Sequence, residues 1–242
     1  MDPAPRLGEA ERVYFALMSS DFFPTDSTLA ESVRLAPNYA YWGGRNLYVN
    51  LTSRCSAACT FCIHNFTWDI FGYDLRLEPG QEPSGAQVIQ ALEEACSEGM
   101  PAEVVFTGLG EPTLRLDVML EALRYLTKKA LCARLDTNGQ GALINPGREV
   151  VSELKVAGLA AISVSLNAPD QATYDELCRP TLAGSYGAVL EFIRQSVSAG
   201  IDTTVTVVDL PEVDKEASAR LVAGMGARFR VRPLLTGEKA SA

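Results

Sequence analysis

Three cysteines lie close together at Cys55, Cys59 and Cys62, a C-x3-C-x2-C spacing that follows a short apolar stretch rich in β-strand formers. Closely spaced thiolates are ligands for zinc and for iron–sulfur clusters. A 4Fe-4S cluster normally takes four cysteines, so a loop that supplies three leaves one iron open to another ligand. An open iron is a place where chemistry can occur.

A structural zinc site is the main alternative for these cysteines. A closed zinc site needs a fourth ligand, usually from a second C-x2-C or H-x3-H pair. The sequence has no such pair, because the other cysteines, Cys96, Cys132 and Cys178, are isolated and the single histidine, His64, is too near Cys62. The spacing therefore favours an iron–sulfur cluster and leaves zinc as the weaker alternative.

The composition bounds the class of protein. At 242 residues and 47% hydrophobic content, the chain can form one domain of α/β-barrel size. Its 21 Lys and Arg against 30 Asp and Glu give a net charge of −9, which disfavours nucleic acid and favours a small-molecule or protein substrate. No secretory leader or membrane-spanning apolar stretch is evident, so a soluble, cytoplasmic protein with reduced cysteines is predicted.

From position 47 onward, short apolar runs alternate with amphipathic segments of helical period. This alternation is typical of βα units that form a barrel or an open parallel sheet. The predicted strands are approximately Leu47–Thr52, Glu103–Thr107, Ala133–Thr137, Ala161–Leu166, Thr203–Val208 and Arg228–Leu234. The predicted helices are approximately Gly85–Glu98, Asp117–Lys129, Glu149–Ala157, Gln171–Cys178, Tyr186–Ala199 and Asp214–Met225.

The first 46 residues have a different composition, with several prolines and an aromatic run at Tyr39–Trp42. Residues 1–46 are therefore predicted to be an N-terminal extension, with a helix and loop covering one end of a barrel as its simplest role. Residues 47–235 form the predicted core domain, and the small, polar residues 236–242 form a frayed tail.

The cysteine spacing, with Phe61 before the last cysteine, resembles the signature of the radical S-adenosylmethionine (radical SAM) superfamily over about residues 47–235. A second match is Phe106-Thr-Gly-Leu-Gly-Glu-Pro112, which resembles that superfamily's Gly-Gly-Glu-Pro loop. Further segments are similar to the TatD-nuclease-associated radical SAM proteins, a family whose name records genomic association rather than a reaction. These segments are Gly72–Leu75, Thr107–Asp117, Ser165–Pro169, Glu176–Pro180 and Val207–Pro211.

The resemblance implies a partial (β/α)6 TIM-like barrel with a 4Fe-4S cluster and SAM as cofactors. Cys55, Cys59 and Cys62 would each bind one iron, and the amino and carboxylate groups of SAM would bind the fourth. The reduced cluster would cleave SAM to a 5'-deoxyadenosyl radical that abstracts hydrogen from a substrate. A donor such as flavodoxin or ferredoxin would supply the electron, while the barrel encloses the reaction.

Polar residues at strand ends are the predicted SAM contacts, because the carboxyl ends of parallel strands meet at one face. Gly110 would allow close backbone approach, and the Glu111 carboxylate would accept hydrogen bonds from the SAM ammonium group. Ser165 and Asn167 share one side of their strand and are predicted to bind the ribose or carboxylate. The remaining predicted contacts are Phe61, Asp136, Asn138 and Arg232.

Several of these residues have a simpler alternative role. Asp136 or Asn138 could form an Asx turn that opens a helix. Asn167 could cap the next helix, although Asp170 is the better candidate for that cap.

The last predicted strand places alternate arginines on one face, so Arg230 and Arg232 cannot both be ordinary core residues. They could bind an anionic substrate or the SAM carboxylate, or form a salt bridge at the barrel mouth. Cys178 is a weak candidate for a catalytic hydrogen donor, and packing is its favoured role. His64 could tune a cluster through a hydrogen bond or shield it from solvent.

The leading prediction is a radical SAM enzyme acting on a small molecule. The alternatives are a glycyl-radical-type activase for a partner protein and a cluster-binding or zinc-binding accessory protein without SAM chemistry. The radical rRNA methyltransferases share a Gly-Glu-Pro loop, but they need an RNA-binding surface and a methyl-carrying cysteine near the carboxyl end. This chain has no cysteine after Cys178.

Overall fold

The computed structural model describes residues 37–235, so most of the predicted extension and the whole predicted tail lie outside the described residues. Seven strands form one sheet and neighbour one another in chain order. They are β1 Ala40–Gly43, β2 Asn46–Asn50, β5 Val104–Thr107, β6 Ala133–Thr137, β7 Ala161–Ser165, β8 Asp202–Val208 and β9 Arg228–Arg232. Between β2 and β5, β3 Asp69–Ile70 and β4 Tyr73–Asp74 form a separate hairpin.

Every neighbouring pair from β2 to β9 is parallel, and helices make the crossovers that a parallel sheet requires. Within residues 37–235 no strand pairing joins β9 to β1, so the sheet is open on that side. The helices are α1 Gly85–Glu98, α2 Leu116–Lys128, α3 Gly141–Ile144, α4 Val150–Val156, α5 Gln171–Cys178, α6 Ser185–Ser198 and α7 Lys215–Gly224. The six predicted strands and six predicted helices are all present.

The helix starts follow capping chemistry. Ser84 and Gln87 form a reciprocal capping box at α1. The carboxylate of Asp170 accepts a hydrogen bond from the Thr173 amide (3.0 Å) at the start of α5, which confirms Asp170 rather than Asn167 as that cap.

The two faces of the sheet differ in polarity, and this difference positions the site. Residues such as Leu47, Phe106, Leu135 and Val164 are fully buried in one apolar core with the helices. The alternate residues point to the opposite, inner face. There β6 to β9 present polar and charged side chains, namely Asp136, Ser163, Ser165, Thr204, Thr206, Arg228, Arg230 and Arg232.

Two features near the strand ends differ from the sequence prediction. Ala40–Gly43, within the predicted extension, adds an antiparallel strand to β2 through a tight turn in which Gly44 has a φ of 60°. The fourth parallel strand ends at Ser165 rather than Leu166, because Asn167 turns into the left-handed region with a φ of 60°. No helix within the described range 37–235 is both long and apolar enough to cross a membrane.

The apolar face of the sheet should dominate stability. Leu135→Ala removes a fully buried side chain between β5 and β7, and we expect it to lower the free energy of unfolding by about 2–5 kcal/mol. Anaerobic urea denaturation would measure the change. The matched control is Val156→Ala, since Val156 is 83% exposed and its truncation should change stability by less than about 0.5 kcal/mol. Equal destabilisation by the two variants would contradict the assignment of this core.

Candidate active site

The cysteine loop, residues 55–62, is held by backbone hydrogen bonds to a segment far along the chain. The amide of Thr60 donates to the carbonyl of Leu177 (2.9 Å), at the end of α5. The amide of Thr181 donates in turn to the carbonyl of Ser56 (2.9 Å). The fourth βα unit, β7 with α5, therefore fixes the backbone that carries the three cysteines.

Gly110 lies in close contact with the chain that leads into the cysteine loop. A Cβ atom at this position would overlap the carbonyl oxygens of Thr52 and Arg54. The next amide, that of Glu111, donates to the Arg54 carbonyl (2.8 Å). Glycine is required here because two backbone segments touch, so its role includes docking the loop after β5 onto the cysteine loop.

The Glu111 carboxylate is a buried junction between two strand-end loops. Its Oε1 atom accepts hydrogen bonds from the amide (3.1 Å) and hydroxyl (2.7 Å) of Thr113 and from the Thr137 hydroxyl (2.8 Å). Its Oε2 atom accepts one from the Asn138 amide (2.8 Å). Burial raises the pKa of Glu111, and these four donors oppose that rise. The carboxylate thus ties the loop after β5 to the end of β6.

Asn138 and Asp136, both predicted SAM contacts, have partners within the protein. The Asn138 side chain accepts from the Gln140 amide (2.9 Å), which is the Asx turn considered as its alternative, and donates to Ser56 Oγ (2.9 Å). The Asp136 carboxylate forms an ion pair with Arg134. Burial raises the pKa of Asp136, and the neighbouring Arg134 opposes the rise.

The inner face of the sheet and the cysteine loop enclose a cavity of about 250 Å³. Every residue predicted from the sequence to bind the cluster or SAM lines this cavity, and so does Cys178. The predicted residues at its wall are Cys55, Phe61, Cys59, Cys62, Gly110, Glu111, Asp136, Asn138, Ser165, Asn167 and Arg232. The structure therefore brings together segments that are distant in sequence.

The thiols of the cysteine loop lie close to other polar groups, with Cys55 exposed and Cys59 and Cys62 partly buried. Desolvation at the cavity wall raises the pKa of Cys55, and the charge of Glu111 adds to the rise. Burial also raises the pKa of Cys62, whose Sγ lies 2.9 Å from His64 Nδ1. A metal must displace thiol protons when it binds cysteine, so loading these residues releases protons.

One wall of the cavity carries polar atoms without partners. Asn167 Oδ1 and Arg232 Nε are buried and have no hydrogen-bond partner among the described residues. Neither Arg230 nor Arg232 has a carboxylate within salt-bridge distance in residues 37–235, so the salt bridge considered for them is not formed there. Buried polar atoms are normally satisfied, so this wall has the character of a ligand-binding surface.

Cys178 combines a packing role with a place at the cavity. Its side chain is buried in the main apolar core, and its Sγ lies 3.8 Å from Asn167 Nδ2. A hydrogen bond with Cys178 is the largest cause of the raised pKa of Cys59, followed by burial. The cysteine therefore contacts the cysteine loop as well as the core.

The residues that support these side chains were not singled out by the sequence analysis. Thr113 and Thr137 bind the Glu111 carboxylate, and Ser56 holds the Asn138 side chain. Short hydroxyl residues at strand ends commonly serve turns, so their types carry no signal for this role. Only the position of Thr137, between the predicted site residues Asp136 and Asn138, indicated that it could support the site.

Comparisons with known proteins agree with this arrangement. The Radical SAM superfamily matches residues 49–222. A relative from Halobacterium salinarum named "Probable GTP 3',8-cyclase" is 35% identical over 154 residues, which are 63% of this chain and 39% of that protein. Another from Sorangium cellulosum, "Probable RNA methyltransferase sce1580", is 29% identical and aligns with 98% of this chain and 59% of its own length. The chain thus spans only part of the length of these relatives.

A similarity of fold extends to solved structures. Streptococcus suis SuiB, in its complex with precursor peptide SuiA, superposes with a TM-score of 0.61 at 17% identity, covering 82% of this chain and 42% of SuiB. The chain belongs to the Radical SAM superfamily. The predicted partial (β/α)6 TIM-like barrel of the radical SAM type is thereby confirmed, and the protein is an enzyme whose family uses a 4Fe-4S cluster and SAM. The finer resemblance to TatD-associated proteins stays a prediction.

The residues at the cavity fit these two cofactors. The three loop cysteines border a shared cavity, which suits a cluster whose thiolates bind different irons. The unpartnered Asn167 Oδ1 and Arg232 Nε atoms supply polar groups for a second cofactor beside it.

Glu111→Gln should destabilise the protein. A carboxamide offers one acceptor oxygen, and its NH2 group would face donors, so we expect a loss of about 2–3 kcal/mol of unfolding free energy. Urea denaturation at neutral pH would measure it. Glu98→Gln, which changes an exposed residue without a side-chain partner among the described residues, is the control. A denaturation midpoint shared by Glu111→Gln and the control would show that the carboxylate is not a structural junction.

Proposed function

We propose that the protein reductively cleaves SAM at a 4Fe-4S cluster held by Cys55, Cys59 and Cys62 and abstracts hydrogen from a small-molecule substrate. The observation that carries this proposal is the shared cavity, where the three cysteines face a wall of unpartnered polar atoms. When bound and reduced, the cofactors supply a 5'-deoxyadenosyl radical, and the protein supplies binding, orientation and enclosure. Residues 47–235 form the proposed catalytic domain, flanked by the extension 1–46 and the tail 236–242.

The proposed SAM contacts differ in how much of each side chain is available. Asn167 Oδ1 and Arg232 Nε have no protein partner in the described range, so they can bind the polar groups of SAM without losing a hydrogen bond. Among residues 37–235, the Ser165 hydroxyl at the cavity wall also has no side-chain hydrogen bond. These three residues are therefore the strongest candidates for the amino acid or ribose portion of SAM.

The other proposed contacts act through the shape of the site. Glu111 and Asn138 are committed to hydrogen bonds between loops, and Gly110 to a close backbone contact, so they present backbone and the remaining lone pairs to SAM. Phe61 contributes apolar surface beside the cysteines, which excludes water from a site where a reactive species must be protected. Asp136, paired with Arg134, contributes a carboxylate to the cavity wall. Cys178 stays a candidate hydrogen donor beside Cys59.

The substrate and the electron donor belong to this proposal. The substrate is a small organic molecule that binds beside the cofactors, and a flavodoxin or ferredoxin would deliver the electron in the cytoplasm. The relatives named above include a cyclase and an RNA methyltransferase, so relationship alone does not select a reaction. A net charge of −9 disfavours RNA as the substrate. An activase role would require a docked partner protein, and an accessory role would require the cysteines to act without SAM.

The decisive experiment is anaerobic reconstitution with iron and sulfide, followed by SAM and dithionite. Chromatography should detect 5'-deoxyadenosine, and deuterium from labelled cell extract should enter it when the substrate is present. Cluster-replete protein that releases no nucleoside would refute the proposed SAM cleavage and favour an accessory role. Deuterium transfer only from the protein fraction of the extract would favour the activase.

Cys59→Ala should abolish the brown 4Fe-4S chromophore, because one iron loses its thiolate. Absorbance and iron analysis after reconstitution would measure the loss. Cys132→Ala is the matched control, since Cys132 is exposed and does not line the cavity, and it should retain wild-type iron content. A full chromophore in Cys59→Ala would remove this residue from the ligand set.

Asn167→Gly should weaken SAM binding about tenfold, because it removes a buried amide while glycine accepts the left-handed φ of 60°. Asn167→Asp keeps the Oδ acceptor and tolerates the same backbone conformation, so we expect a smaller loss. Equilibrium dialysis of the reconstituted variants against labelled SAM would compare their dissociation constants. Unchanged affinity in Asn167→Gly would exclude the side chain as a contact.

A further inference from the structure

The last strand, β9, places Arg228, Arg230 and Arg232 on the inner face of the sheet. Alternate residues share a face and lie about 6.8 Å apart along a strand, so the three guanidinium groups form a line towards the carboxyl end. Arg230 and Arg232 line the cavity, whereas Arg228 does not. The row of arginines therefore begins outside the cavity, at Arg228, and continues into it.

On the inner face of the sheet, Arg134 and Arg228 lie outside the cavity and are paired with carboxylates, whereas Arg230 and Arg232 line it and have no such partner among residues 37–235. Arg228 binds Asp202 (2.7 Å), and Arg134 binds Glu103 (2.8 Å) and also Asp136. No carboxylate in residues 37–235 lies within salt-bridge distance of Arg230. The charge of Asp136 interacts with that of Arg230, but the Asp136 carboxylate already forms an ion pair with Arg134.

Arg230 and Arg232 differ in their surroundings. Arg232 is half-buried at the cavity wall and its Nε atom has no hydrogen-bond partner among residues 37–235, which suits the proposed role beside the cofactors. Arg230 is exposed at the cavity wall. A guanidinium keeps its positive charge at all physiological pH values and matches carboxylate and phosphate groups with paired hydrogen bonds. Arg230 is thus free to bind an anion that enters from solvent.

The register of the sheet adds neutral donors beside Arg230. Arg230 is opposite Thr206 on β8, and Thr206 is opposite Ser165 on β7. All three residues line the cavity, and neither hydroxyl has a side-chain hydrogen bond in the described part of the chain. A row of one guanidinium and two hydroxyls is a polar surface that matches an oxyanion.

We propose that Arg230 and Thr206 bind a carboxylate or phosphate group of the substrate, next to Ser165 at the proposed SAM site. This inference rests on the proposed function and assigns the substrate to the class of small organic anions. It explains why Arg230 lacks the acidic partner that Arg228 and Arg134 each have. It also places the substrate beside the cofactor whose radical would abstract hydrogen from it.

A binding experiment tests this subsite without turnover. Reconstituted protein with bound SAM would be titrated at low ionic strength with inorganic phosphate and, separately, with succinate, and binding followed by calorimetry. One of the two anions should bind. Arg230→Gln should weaken that binding about tenfold or more, and added salt should weaken it as well. Arg228→Gln, on the same strand and face, is the control and should keep the affinity. Absence of binding by both anions, or equal affinity in Arg230→Gln, would overturn the proposal.

A second experiment identifies the class of the substrate itself. Deuterated cell extract would be separated on an anion-exchange resin, and each fraction tested for deuterium transfer into 5'-deoxyadenosine. The active fraction should be retained, with loss of activity after phosphatase indicating a phosphate and survival indicating a carboxylate. Transfer from the unretained fraction would overturn the proposal. Failure of the proposed function is distinguishable, because wild-type protein would then form no 5'-deoxyadenosine, whereas the anion titration can be repeated on protein without SAM.

Discussion

The buried carboxylate of Glu111 is the interaction on which the rest of the site depends. A carboxylate removed from water costs several kcal/mol unless donors surround it, and this one receives four hydrogen bonds from Thr113, Thr137 and Asn138. Those donors belong to the loop after β5 and to the end of β6 with the residue that follows it. The backbone contacts of Gly110 then join the same unit to the cysteine loop, so three strand ends are held as one.

The two walls of the cavity are therefore built on different principles. The wall around Glu111 satisfies its own polar groups and is rigid before any ligand arrives. The wall formed by β7 to β9 leaves Asn167 and Arg232 with unpartnered buried atoms, a cost to stability that a bound ligand can offset. Proteins commonly accept such a cost where function needs it. The wall around Glu111 thus positions the cysteine loop, and the wall formed by β7 to β9 is the one proposed to bind ligands.

Much of this arrangement could be predicted from the sequence, and the limits have physical causes. Periodicity and caps located the strands and helices, since Gly85–Glu98 and Gln171–Cys178 occur with the predicted bounds. The proposed site residues came from the motifs of the family resemblance and from positions at strand ends, and all of them line the cavity. The short strand Ala40–Gly43 was missed because a four-residue aromatic run carries no period, and the Glu111 partners were missed because their bonds join residues distant in sequence.

The contact between the cysteine loop and the segment Leu177–Thr181 has a consequence for biogenesis. Residues 55–62 are synthesised long before the segment that fixes their backbone, so during translation the three thiols have no defined geometry. A cluster delivered to the nascent chain would meet a loop without its support. The arrangement of the three thiols is therefore complete only after the fourth βα unit has left the ribosome and folded.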